Sequence, residues 1–253
     1  MWTIRGRTLF KREIKRYIRR PKNTFMPPAI TNVLYFAVFG VILGGRIDQI
    51  AGFSYILFIL PGLIVLGAIS NAFENASFSI FHGRWNEYIH APLTSPMSHT
   101  EMVVAYVGAS AVRGLLVGVI IAAVGRLFTP IGVEHALLLI VTMVIICVLF
   151  AGLGVIGGLW ADDFDDLTVM TQFIIRPLVF FGAVFYSLEV LSPFWQTVSM
   201  LNPMVYMVDT VRYSMLGYAD LTPYVSIIVL LVATAIVLTV DILLVKRGYG
   251  LTN

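Results

Sequence analysis

The residues of this chain suited to covalent or metal chemistry are four histidines, one cysteine and a run of aspartates, and their spacing speaks against such chemistry. His82, His90, His99 and His135 are scattered through loop regions, with no HExxH pair and no ligand-like interval between them. Cys147 stands alone inside an apolar run, so it has no partner for an internal disulfide and belongs to no cysteine cluster. The turn Ala161-Asp162-Asp163-Phe164-Asp165-Asp166 could collect a divalent cation, but carboxylates crowded into a short turn more simply form a solvated cap between helices. Gly108-Ala109-Ser110 puts a hydroxyl among small residues, yet no histidine stands within a span to activate it, and the tripeptide reads as helix packing. No stretch fits GxxxxGK[ST], the loop whose amides and lysine cradle nucleotide phosphates, so ATP is not expected on this chain, nor any cofactor or metal.

Residues suited to recognition are placed differently. Phe78, Phe81, Trp85 and Tyr88 recur at i, i+3, i+7 and i+10 while Arg84, Asn86 and Glu87 occupy the other faces, which predicts an amphipathic helix lying outside a span. It is expected to end near Ala91-Pro92, with Thr94-Ser95-Pro96 leading to the next span, and to rest on lipid or dock into a groove on a partner. Phe180, Phe181, Phe185 and Tyr186 crowd a second stretch, where they line a path for substrate or, on the plainer reading, form an interfacial belt.

The elements that carry these residues follow from composition. A hydrophobic fraction of 58% against 12% charged residues, with a mean hydropathy of +0.89, departs from soluble proteins, in which charged residues make up about a quarter. The bilayer is therefore the solvent. Apolar runs cover 26–43, 53–73, 102–127, 137–160, 167–188 and 225–245, and segments of about 17 to 25 residues span ~30 Å of hydrocarbon as helices. The expectation is an all-α integral membrane protein with six transmembrane helices, one domain over residues 1–253. A seventh apolar stretch, 191–218, is interrupted by Pro193, Asn202-Pro203, Asp209 and Arg212, which suits re-entrant or interfacial pieces within an outer segment 189–222.

A net charge of +3 would suggest nucleic acid on a soluble surface, but nine of the seventeen basic residues lie in the first twenty-two positions, which makes them a topology signal. Phe10, Ile14, Tyr17 and Ile18 recur there among Arg12, Lys15, Arg16, Arg19 and Arg20, as in an interfacial amphipathic helix over 1–22. No small-residue cleavage site closes the first run before Gly44-Gly45, so the start reads as mature protein. Residues 1–22, Arg84, Lys246 and Arg247 fall on one side and Arg46, Arg126 and Arg212 on the other, which puts both termini and the loop 74–101 in the cytoplasm of a multi-pass plasma-membrane protein. Arg113 and Arg176 lie near the middle of the third and fifth spans, where an arginine costs roughly 2.5 to 3.5 kcal/mol. Each is expected to face the bundle interior, a wet cavity or backbone carbonyls, as a lock between helices or as a path residue meeting an anionic head group. Pro177 deprives the carbonyl of Phe173 of its helical donor, an acceptor a guanidinium could satisfy. No internal repeat is visible, which weighs against a transporter of duplicated halves.

Two stretches resemble a known family. Arg84-Trp85-Asn86-Glu87-Tyr88-Ile89-His90-Ala91-Pro92-Leu93-Thr94-Ser95-Pro96 is similar to the cytoplasmic segment after the second span of the ABC-2 permeases, the membrane subunits of type-2 ATP-binding-cassette exporters. Arg176-Pro177 through Gly182, Phe185, Pro193-Phe194-Trp195 and Asn202-Pro203 to Tyr206, Asp209 and Arg212 is similar to that family's fifth-span and re-entrant signature, with departures at Gly182-Ala183, Tyr186-Ser187 and Ser192-Pro193. The resemblance implies a coupling helix at Arg84–Tyr88, a dimer with itself or a paralogous permease, and two ATPase subunits that bind the ATP. Export of a lipophilic, drug-like, glycolipid or polysaccharide solute is the expected function, with membrane lipids as the other partner. The rival readings are a six-span enzyme acting on lipid, for which the acidic turn or the histidines would be catalytic, and a scaffold with no transport path.

Overall fold

The structure, a computed structural model, describes residues 4–44 and 49–251; Arg46, Gly45 and the first three residues of the basic segment lie outside the described residues. Helix α1 (Ile4–Ile18) leads into α2 (Pro21–Tyr35), which continues as a π-helical stretch, Phe36–Leu43. A short antiparallel hairpin, β1 (Gln49–Ile50) and β2 (Phe53–Ser54), precedes α3 (Tyr55–Trp85), α4 (His90–Thr94), α5 (His99–Gly125) and α6 (Ala136–Trp160). Then follow α7 (Phe164–Met170), a π turn (Thr171–Ile175), α8 (Arg176–Phe180), a 3-10 turn (Leu188–Val190), α9 (Pro193–Met200), α10 (Pro203–Leu216) and α11 (Pro223–Lys246). Among the described residues four helices, α3, α5, α6 and α11, are long and apolar enough to cross a membrane, which agrees with an all-α membrane protein.

Helix α3 is the axis of the bundle, apolar on every face over Tyr55–Ile69 where neighbouring helices cover it. Helix α6 lies flush on it, because a Cβ at Gly158 would stand 2.5 Å from the Ser77 carbonyl oxygen and one at Gly154 would collide with that of Phe73. Helix α5 begins with a capping box, Ser98 Oγ accepting from the Glu101 amide and the Glu101 carboxylate accepting from the Ser98 amide. Helix α10 ends where Gly217 turns left-handed, at φ 70°.

Three expectations are corrected. The aromatic stripe Phe78–Tyr88 does not form a separate loop helix: α3 runs unbroken through 31 residues, about 46 Å at 1.5 Å per residue, so it outlasts the hydrocarbon and carries Phe78, Phe81 and Trp85 on its last turns, with Tyr88 beyond its end. The fifth run is not one helix to residue 188. Pro177 cannot donate, the Arg176 amide reaches back five residues to the Thr171 carbonyl in a π turn, and the helix stops at Phe180. Helix α1 buries Leu9, Glu13 and Tyr17, while Ile18 is exposed; its inner face is rotated from the expected one because Glu13 is drawn into a polar cluster.

The bundle has two distinct ends. One, the basic end, gathers α1, the C-terminal turns of α3, α6 and α11, and the starts of α5 and α7. The far end holds the hairpin, α9, α10 and the starts of α6 and α11.

Candidate functional site

At the basic end, α3 stops by a sharp reversal. The Ile89 amide donates to the Gly83 carbonyl at 2.9 Å, Glu87 sits at φ 62° in the left-handed region, and Ile89 is buried as the anchor. This leaves Trp85, Asn86, Glu87 and Tyr88 exposed in succession. Arg84 is turned inward: its Nη1 donates to the carbonyls of Gly158 (3.0 Å), Leu159 (3.0 Å) and Ala161 (2.6 Å), and its Nη2 lies 3.6 Å from Asp162. Those carbonyls end α6, where a cation is favoured by the unpaired acceptors and the helix dipole. Arg84 therefore pins α6 to α3. Trp85 stacks on Phe81 with ring centroids 5.9 Å apart and rests against Phe164, 5.7 Å away, so the acidic turn supplies an aromatic to the same cluster. The turn is otherwise a cap: Asp163 and Asp166 form the capping box that starts α7.

Beside it, α1 docks through a buried polar network. The Glu13 carboxylate, 3% exposed, accepts from Arg12 (2.9 Å) and Ser79 Oγ (2.8 Å) and pairs with Arg16 at 3.3 Å. Arg16 also donates to Ser79 Oγ and, at 2.9 Å, to Asn75 Oδ1. Asn75 Nδ2 donates to Ser110 Oγ at 2.8 Å, and Arg113 donates to Asn75 Oδ1 (3.1 Å) and Asn71 Oδ1 (3.2 Å). Gly108-Ala109-Ser110 is thus the seat of α1: Gly108 leaves room for Phe10, the Ala109 carbonyl accepts from Tyr17 Oη at 3.4 Å, and Ser110 closes the network. Charges at this depth need such partners.

The far end is held by Arg212, a fully buried guanidinium that lies 4.0 Å from the Phe58 ring centre, donates to the Ala183 carbonyl at 2.7 Å and stands 3.6 Å from Asp220. Asp209 accepts from the amides of Asp220 (2.7 Å) and Leu221 (3.1 Å), and Asp220 accepts from Ser187 Oγ (2.8 Å) and Tyr218 Oη (2.7 Å). Asn202 caps α10 through the Met204 amide and donates to the Leu178 carbonyl at 2.6 Å, with Pro203 opening the helix. These four signature residues fix the broken segment after α8. Phe181 stacks on Trp195, centroids 6.0 Å apart, and is exposed with it; Phe185 stacks on Phe39 of the first run at 4.9 Å. Arg176 is exposed, and its side chain makes no hydrogen bond or ion pair among the described residues.

Sequence reasoning missed Glu13, Asn71, Asn75 and Asp220 as partners, although polar residues inside or beside apolar runs are a visible signal. It also missed Asp241 in α11, which is fully buried with neither carboxylate oxygen hydrogen-bonded. Among the described residues no group of histidine, cysteine and carboxylate side chains is arranged to hold a metal ion.

Comparison with known proteins agrees with this architecture. Over 253 residues, all of this chain and 99% of the relative, it is 38% identical to the inner membrane transport permease YadH of Escherichia coli (strain K12). Nodulation protein J of Rhizobium leguminosarum bv. viciae is 25% identical over 193 residues, 73% of this chain and 72% of that protein. Nodulation protein J of Neorhizobium galegae is 22% identical over 191 residues, 74% of this chain and 71% of that protein. The profile of the ABC-2 type transporter family matches residues 6–216, and the chain belongs to that family: it is a multi-pass inner-membrane transport permease subunit, of a kind that works with an ATPase subunit.

Proposed function

We propose that the permease is the membrane half of an ATP-driven exporter, and that the exposed edge Trp85-Asn86-Glu87-Tyr88 receives the work of a separate ATPase. The observation that carries this reading is the mounting of that edge. It projects from the end of α3, the central helix, and Arg84 ties it to the end of α6, so a push on the turn is delivered to two apolar helices at once. Arg84 acts as the rigid joint and Trp85 as the anchor.

In this reading α2 with its π-helical continuation and the broken helix over 164–180 complete six spans, α9 and α10 form a re-entrant segment on the outer side, and both termini are cytoplasmic. Two copies, or this chain and a paralogous permease, enclose a path with two ATPase subunits below. Exposed Phe181, beside Trp195, and Phe185 belong to the flank that meets a lipophilic, drug-like, glycolipid or polysaccharide solute, while Arg113, Asp209 and Arg212 lock helices. ATP binds the partner, and the permease itself carries no cofactor.

The test is reconstitution with the cognate ATPase. Large aromatic anchors cost about 2 kcal/mol or more when truncated, so Trp85→Ala is expected to weaken ATPase binding roughly 30-fold, and Glu87→Arg to uncouple hydrolysis, while both variants still insert. Wild-type affinity and wild-type ATPase stimulation in both would sink the proposal.

A further inference from the structure

The outward side of α1 borders an open cavity of about 840 Å³ lined by Lys11, Arg12, Lys15, Arg16, Arg19 and Arg20, with Thr8 and Tyr88 at its rim. Its one lining carboxylate, Glu13, is turned into the bundle and already occupied by Arg12, Arg16 and Ser79. The positive charge of the cavity is therefore uncompensated. Among the described residues Lys11, Lys15, Arg19 and Arg20 make no ion pair, and Nη1 of both Arg12 and Arg16 makes no hydrogen bond. Arg12 and Arg16 are held in place from behind by Glu13, Tyr106 and Asn75 while 42% and 39% of their side-chain surfaces remain open. Two guanidiniums fixed at the back of a cavity with lysines in front make a receptor for phosphate oxygens.

The surroundings say what carries the phosphate. Arg19 and Arg20 stand at the bend into α2, and α2 leaves that bend with Met26, Ile30, Val33 and Leu34 exposed along its length. A cationic cavity followed along the chain by an exposed apolar flank of about 12 Å, eight steps of 1.5 Å from Met26 to Leu34, matches a molecule with an anionic head and hydrocarbon tails. We propose that this cavity binds the head group of an anionic phospholipid of the leaflet on its own side, with the acyl chains laid along α2. The bound phosphate rests on Arg12 and Arg16, the same groups that seat α1 on α3 and α5, so the lipid is part of what keeps the N-terminal helix docked. The inference stands independently of the ATPase-coupling reading.

The purified full-length permease in neutral detergent is titrated with phosphatidylglycerol, phosphatidylcholine or inorganic phosphate, with retained lipid counted by native mass spectrometry and stability followed by thermal melting. Phosphatidylglycerol is expected to be retained at least about tenfold more tightly than phosphatidylcholine and to raise the melting temperature. The preference is expected to shrink in 0.5 M salt, since exposed charges are screened within about 4 Å there. The variant Lys11→Gln/Lys15→Gln/Arg19→Gln removes only side chains without partners, so it is expected to melt like wild type without lipid and to lose at least about tenfold of the preference, at roughly fivefold per cation near an anionic surface. Lys246→Gln/Arg247→Gln, at the same end but off the cavity, is expected to keep it. Equal retention of the two lipids by the wild type would overturn the site whatever the variants do. An unchanged preference in the triple variant would move the site elsewhere. Displacement of phosphatidylglycerol by millimolar inorganic phosphate would make it a free-anion site, and loss of ATPase affinity with lipid preference intact would assign the cations to a protein partner.

Discussion

Arg113 and Arg176 look alike in the sequence, each a cation deep in an apolar run, and the fold treats them oppositely. Arg113 faces the interior, with both terminal nitrogens bound to the buried amide oxygens of Asn71 and Asn75. Arg176 is exposed on the single chain, and its amide bonds the Thr171 carbonyl in the π turn ahead of Pro177. Replacing Arg113 by Leu leaves the buried Asn71 Oδ1 without its donor, at about 1–3 kcal/mol, while Asn75 Oδ1 keeps the bond from Arg16. That corresponds to a melting temperature lowered on the order of 5–10 °C for a chain of this size. Arg176→Leu in the dispersed permease is expected to melt within about 2 °C of wild type. Equal losses in the two variants, measured side by side in detergent, would show that Arg176 is covered by something outside this chain's own fold. The cation was legible in both cases; its partner was not, because Asn71 and Asn75 lie i, i+4 on another helix and only the packing of α3 on α5 brings them to Arg113.

Helix starts carry the most legible signals, because those signals are local: Ser98 with Glu101 and Asp163 with Asp166 are capping boxes three residues apart, although the apolar runs drawn from 102 and 167 passed over both. Helix lengths were less so. The stripe from Phe78 to Tyr88 has the right period for an amphipathic helix whether it stands alone or prolongs α3, and only the continuity of backbone hydrogen bonds through Glu74–Ser79 decides. Asp241 shows what the apolar pattern conceals at the seam of α6 and α11. A Cβ at Gly152 would lie 2.9 Å from Asp241 Oδ2, so the glycine makes room for the acid, yet neither oxygen finds a donor. An isolated buried carboxylate ion costs several kcal/mol, so Asp241, with neither oxygen hydrogen-bonded, adds little to the stability of this chain. Asp241→Asn, equal in shape and unable to ionise, is then expected to change stability by less than about 1 kcal/mol, in line with swaps that conserve volume. A loss of more than about 10 °C in its melting curve, or failure of the variant to assemble, would mean that Asp241 is charged in the working protein and paired with a cation from another copy.

At the scale of the whole molecule the question is which end faces the cytoplasm, and the fold sharpens the charge argument made on the sequence. The basic end carries the arginines and lysines of α1 together with Arg84, Lys246 and Arg247, most of them on exposed surface. Of the basic residues assigned to the far end, Arg212 is fully buried and paired with Asp220, and Arg126 is bound to the Ile131 carbonyl at 2.9 Å. Cations retained in the cytoplasm are the ones that orient a membrane protein, so the asymmetry is steeper in the fold than in a residue count. The native thiol does not interfere with a labelling test, since Cys147 is fully buried and burial among apolar side chains makes it inert. After Cys147→Ala, single cysteines are placed at Thr94, on exposed α4, and at Leu201, 83% exposed between α9 and α10. Asp220 would be a poor choice, because its carboxylate holds Ser187, Tyr218 and Arg212 together. With an impermeant maleimide on spheroplasts, position 201 is expected to label at once and position 94 only after the membrane is opened. Reversal of the two would turn the molecule over, placing Trp85–Tyr88 and the cationic cavity outside, where neither an ATPase nor the cytoplasmic leaflet could reach them.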